Sequence, residues 1–200
     1  MSERLFSIEV TSAPAVNPVT TVELRTHVQQ NHTDDDTYLA ALCSAATRYV
    51  EKYTGLYLIT QSLTVRFDRF PSNNQRNEIV LPLAPVQTRS AVKYLDSDGT
   101  EQTLSASLYG SDLKSLPPRI YPAYSQVWPV VRDIQAAVRI EVIAGFGAAG
   151  SACPQGIVHA IKLLGGHWFR NRESVSEGQL YEVPMAVTAL LDAERISWMN

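Results

Sequence analysis

Helical patterning to about Gly55, period-two patterning to about Ala144 and helical patterning again to the C-terminus predict an α+β fold. In it a small antiparallel β domain lies between N-terminal and C-terminal helices. Three stretches carry the prediction. Leu39, Leu42, Cys43, Ala46, Tyr49, Val50 and Tyr53 recur in steps of three and four, as one face of a helix does. Leu63, Val65 and Phe67 alternate with Thr64, Arg66 and Asp68, as in a half-buried strand. Ile157, Val158, Ile161, Leu164, Trp168 and Phe169 then return to the helical spacing. The expected division is a flexible arm over 1–19, helices over 20–56, a β insert over 57–144, a small-residue linker over 145–153, and helices over 154–200 that pack with 20–56.

In chain order, Pro14 and Pro18 mark the arm as irregular, and Thr20 with Glu23 three residues on is a capping-box pattern that opens a short helix. Thr33 is the expected cap of the long second helix, with Asp34, Asp35 and Asp36 in its first turn, where the helix dipole favours negative charge. Gly55 ends that helix in the left-handed position that glycine adopts most easily. The β region reads as five to seven strands. These include Ile79–Leu81, a hairpin whose arms flank the turn Asp96–Thr100, short strands near Ser111 and Tyr121, and a final strand over Val138–Ile143. Pro154 suits the first turn of the third helix, and Gly165–Gly166 in its middle suggests close approach by another backbone. A last helix is expected from Pro184 to about Ile196.

Composition narrows the function. The 200 residues suffice for a real core, and a charged fraction of 18% leaves apolar surface for partners. A formal charge of −3 argues against a protein that grips nucleic acid by neutralising phosphates. Two widely spaced cysteines, Cys43 and Cys153, argue against a disulfide framework, and Cys43 lies on an apolar helical stripe. No apolar run suits a membrane span or a signal peptide, so a soluble protein made in the cytosol is expected.

Each chemical motif has a plainer reading. Gly145–Gly150 matches GxGxxG, but the next helical pattern starts only near Pro154 and no strand follows it, so a flexible linker is expected in place of a dinucleotide site. The three aspartates point in different directions on a helix, and Asp96–Glu101 lacks the later ligands of a calcium loop. His159 and His167 are too far apart on one helix to share a metal, and no catalytic signature of hydrolases or metallopeptidases is present. No catalytic, cofactor-binding or metal-binding residue is assigned, and no enzymatic activity is expected. Trp168–Arg172 mixes aromatics with arginines, but its helical period places Trp168 with Leu164 and Ile161 on a core or interface stripe.

Several stretches in fixed order carry a family likeness: Val19–Val28, Ala45–Leu56, Leu58–Gln61, Asp68–Pro71, Tyr94–Thr100 and His167–Glu173. Together they resemble the head–tail connector (adaptor, or head-completion) proteins of tailed bacteriophages, in the variety with a β insert between helical ends. The resemblance implies a virion protein without catalytic residues. It would assemble in the host cytoplasm as a ring of twelve copies beneath the portal protein, and join a tail or stopper protein at the head–tail junction. DNA would pass through its lumen without sequence-specific binding, and no membrane would be involved. The expected subunit and portal interface comprises Leu164, Trp168, Phe169, Pro184, Leu190, Leu191, Ile196 and Trp198, with residues 184–200 docking onto the portal. A tail-completion or tail-tube-terminator protein is the nearest structural alternative. A nucleotide-binding enzyme using Gly145–Gly150 is a more distant one.

Overall fold

The computed structural model describes residues 6–71, 77–172 and 184–196. Among these residues, four helices and antiparallel sheets make the fold α+β, as the patterning predicts. The chain divides into two compact units, each built from two segments: Met1–Ala13 with Thr60–Gly145, and Pro14–Ile59 with Phe146–Asn200.

Among its described residues the first unit is built of β-strands, with one short 3-10 turn at Ala106–Leu108. Its main sheet has the order β1-β2-β8-β4-β5, formed by Phe6–Ser12, Gln61–Phe67, Val138–Ala144, Val86–Leu95 and Glu101–Thr103. All pairings between these strands are antiparallel. Register places Val65 beside Ile140 and Ile140 beside Val92, so a β-branched row runs across three strands on the buried face. The other face is polar and tied by cross-strand ion pairs. Lys93 Nζ lies 2.6 Å from Glu141, Arg139 reaches Glu101 at 2.8 Å, and Arg66 pairs with Glu9. A three-stranded sheet follows the order β3-β7-β6, Ile79–Val80, Arg119–Pro122 and Tyr109–Asp112. Arg89 of β4 lies over the Tyr109 ring at 4.1 Å and donates from Nε to Ser111 Oγ at 3.1 Å, which ties β4 to β6.

Strand β1 corrects the expectation of an irregular arm. Phe6, Ile8 and Val10 alternate with Ser7, Glu9 and Thr11, a period-two signal, and the segment pairs with β2 along its length. The β region is therefore no simple insert, and its eight strands among the described residues exceed the five to seven expected.

The second unit is helical: α1 (Thr21–His27), α2 (Asp36–Thr54), α3 (Gln155–Arg170) and α4 (Met185–Asp192). The capping box at α1 is present in both directions, Thr20 Oγ1 accepting from the Glu23 amide and Glu23 accepting from the Thr20 amide. For α2 the expected cap shifts. The Thr33 carbonyl accepts from the Asp36 amide in a turn before the helix, so Asp35 stands at the cap position and only Asp36 falls in the first turn. Gly55 closes α2 at φ 76°. Helix α3 packs against the other three helices and buries Ile157, Ile161 and Leu164 completely or nearly so.

The glycine pair in α3 does admit a close neighbour, but the neighbour is a set of side chains. A Cβ on Gly165 would lie 3.1 Å from Leu24, and one on Gly166 3.2 Å from His27. These glycines are the seat of α1 on α3. The segment after β8 is likewise no flexible linker. A Cβ on Gly150 would collide with the Pro18 carbonyl, and a 3-10 turn at Gly150–Ala152 leads into α3.

Candidate assembly surface

Within the helical unit, Leu164, Leu191 and Ile196 are buried in the protomer itself, and the Ile196 amide donates to the Thr54 carbonyl at 3.0 Å. Enclosed by their own chain, these side chains pack the helices, as expected of Leu164 on its stripe, and offer little area to a partner. Trp168, Phe169, Pro184 and Leu190 are half-buried. Trp168 meets Tyr49 edge to face at 6.2 Å, and Phe169 lies against Tyr38 at 6.1 Å. Arg172 closes this cluster, its guanidinium 4.9 Å from the Tyr38 ring and 4.8 Å from the Phe169 ring, with a 2.9 Å bond to Asp35. The aromatic and basic run at the end of α3 therefore holds α3 to α2, which leaves these rings little freedom to stack on bases. Trp198 lies outside the described residues. On α4, the first residue, Met185, is 86% exposed.

The larger exposed apolar group sits in the β unit, where the sequence suggested no element. The connection of residues 123–137 between β7 and β8 is pinned at several points. The Ala123 amide donates to the Leu108 carbonyl, the Arg132 amide to the Leu95 carbonyl, and the Ala136 amide to Asp68 Oδ1. Midway, Trp128 stacks on Phe70 at 4.7 Å and an interplanar angle of 3°, and its indole N–H donates to the Asn77 carbonyl at 2.6 Å. Between these anchors Tyr124, Val127 and Val130 are 97%, 82% and 83% exposed. Residues 123–131 contain no charged side chain. Large apolar groups held outward on a fixed loop are the mark of a contact surface. A charge-free run with Tyr, Trp and three valines between two strands was its visible signal in the sequence.

The other candidates resolve into structure. Asp36 takes Arg25 at 2.7 Å, and Asp35 takes Gln30 as well as Arg172, so these carboxylates hold the helices together. No group of three or more metal-binding side chains converges among the described residues. Asp96 accepts from the amides of Asp98 and Thr100 and from the Gln102 side chain; the Gln102 bond and then the Thr100 amide hold its carboxyl below the usual range. Burial, with a smaller push from Glu23, raises the Cys43 thiol to about 11, and burial with Glu51 nearby raises Cys153. Both shifts run opposite to those of a nucleophilic cysteine. In the GxGxxG stretch, the Gly145 amide donates to the Pro85 carbonyl and Phe146 to Leu58, while α3 begins only at Gln155. No described helix is long and apolar enough to cross a membrane.

No family model matches this sequence, and no curated protein does. Three solved structures share the fold over nearly the full length of both chains. A chain from the neck of an empty gene transfer agent particle computed with C6 symmetry superposes with a TM-score of 0.76 at 24% identity, covering 94% of this chain and 95% of its own. One from the virion of a native gene transfer agent gives 0.74 at 23% identity, covering 94% of each chain. One from the neck of a native particle computed with C12 symmetry gives 0.73 at 24% identity, again over 94% of each. The chain thus shares its fold with these gene transfer agent chains.

Proposed function

We propose that this chain is a structural component of the neck of a phage-like particle, a head–tail connector whose copies form a ring beneath the portal and carry the DNA channel toward the tail. The observation that carries the reading is the likeness over 94% of this chain and 95% of a neck chain. A likeness confined to a common supersecondary motif would support much less. The dodecameric ring, the portal as upstream partner, a tail or stopper protein as downstream partner, and assembly in the host cytoplasm belong to the same reading. A ring lumen of mild negative charge would let DNA slide without gripping it.

Two surfaces suit the contacts. The pinned loop carrying Tyr124, Val127 and Val130 offers an uncharged apolar face for protein, and α4 offers Met185 with the half-buried Leu190. The portal contact is assigned to residues 184–200, with the buried Leu191 and Ile196 holding the described part of that segment to the helical unit.

The test mixes the purified chain with the portal from the same particle and images the product. Rings of the chain seated on the portal are the expected result. Binding to tail tubes with none to the portal would replace the connector assignment with a tail-completion role. Binding to neither would remove the neck reading.

A further inference from the structure

A recess of about 290 Å³ opens on the helical unit, lined by His27 of α1, by Leu163, Gly166, His167 and Arg170 of α3, and by Asn171. We propose that it binds the carboxylate of an acidic side chain presented by a segment of a partner protein. Helix α3 contains no Asp or Glu in sixteen residues but carries His159, Lys162, His167 and Arg170. Among the described residues, His159, Lys162 and Arg170 of α3 act on His27, and α1 itself carries Glu23 and Arg25. Glu23 is engaged by Lys162 and Thr20, and Arg25 by Asp36 of α2. Arg170 is exposed and makes no ion pair among the described residues.

The His27 ring is shifted below its ordinary pKa. Desolvation lowers it first, and the nearby His159, Lys162 and Arg170 lower it further, as an excess of positive potential does. The end of α3 opposes an anion through its dipole, by about half a charge. There the His167 carbonyl is already capped by the amide and side chain of Asn171, at 3.1 and 2.9 Å. The full charge of Arg170 outweighs the remainder.

Shape selects the source of the anion. Duplex DNA is held by many exposed cations along a stripe. Here one recess with an apolar wall, Leu163 and Gly166, fits the methylenes and head group of a single Glu or Asp. A guanidinium fork is suited to take both carboxylate oxygens. An incoming carboxylate would also favour the imidazolium form of His27, so occupancy strengthens as pH falls toward the histidine range.

The proposal does not rest on the neck reading, and the isolated full chain tests it. The probes are an acetylated hexapeptide with two central glutamates, its glutamine counterpart, and a short DNA duplex, with the His27 ring followed by NMR across pH. The acidic peptide is expected to raise the His27 midpoint by about half a pH unit or more, and to bind several-fold tighter near pH 6 than near pH 7.5. Arg170→Gln, on an exposed side chain, is expected to abolish the shift with the fold intact, and His27→Gln to remove the pH dependence. An unmoved midpoint, an equal response to the glutamine peptide, or a shift that survives Arg170→Gln would overturn the proposal. So would a response to DNA alone.

Discussion

The two units handle their large apolar side chains in opposite ways. In the helical unit, aromatics that look like a sticky end in sequence fold back: Trp168 onto Tyr49, and Phe169 onto Tyr38 beneath Arg172. In the β unit, one aromatic is sacrificed as an anchor, Trp128 on Phe70, and its neighbours Tyr124, Val127 and Val130 are held out to solvent. An apolar stripe in sequence therefore says that a side chain is buried, without saying by what. A long helix beside two others can bury its stripe in its own protomer, whereas a pinned loop one layer thick cannot.

The largest effect that would break this contrast is on stability. Leu164→Ala is expected to lower the unfolding free energy by about 3 kcal/mol, since Leu164 is fully enclosed. Urea titration reads it. A variant of wild-type stability that fails only in assembly would return Leu164 to the interface.

A smaller effect sharpens how the helical core tolerates polarity. Glu51 accepts from the Leu58 amide at 3.0 Å, yet burial holds its carboxyl above the usual range, offset in part by that bond and by Arg48. A carboxyl raised in the folded state destabilises the fold when ionised. The penalty is present in full above the raised value and disappears below the unfolded one. Glu51→Gln keeps an acceptor for Leu58 and should be more stable than the parent at pH 7. The advantage should close as pH falls through the carboxylate range. A gap that widens toward acid would show that the Glu51 charge supports the fold.

The smallest stability change comes with a large functional one. Tyr124→Ser, Val127→Ser and Val130→Ser combined should shift stability by no more than about 0.5 kcal/mol each, because the side chains are already in water. Assembly with the portal or between copies should be lost in sedimentation. Full assembly would leave the loop without a contact role and pass it to α4.

Residue pattern alone determined much of the molecule. The α1 capping box, the Gly55 stop of α2, the alternation of β2 and β8, and the hairpin of β4 with β5 all depend on local geometry, which neighbours in sequence set directly. So did the choice of Leu164, Leu191 and Ile196 as apolar positions that must leave water. Tertiary structure alone decided what receives them. Burial is a property of a side chain, but the surface that supplies it is assembled from residues more than a hundred positions away, as when the Ile196 amide meets the Thr54 carbonyl. The same reason hid β1, whose alternation becomes a strand only because β2 stands beside it to pair its backbone, and the loop of Tyr124, which is held outward by Leu108, Phe70 and Leu95.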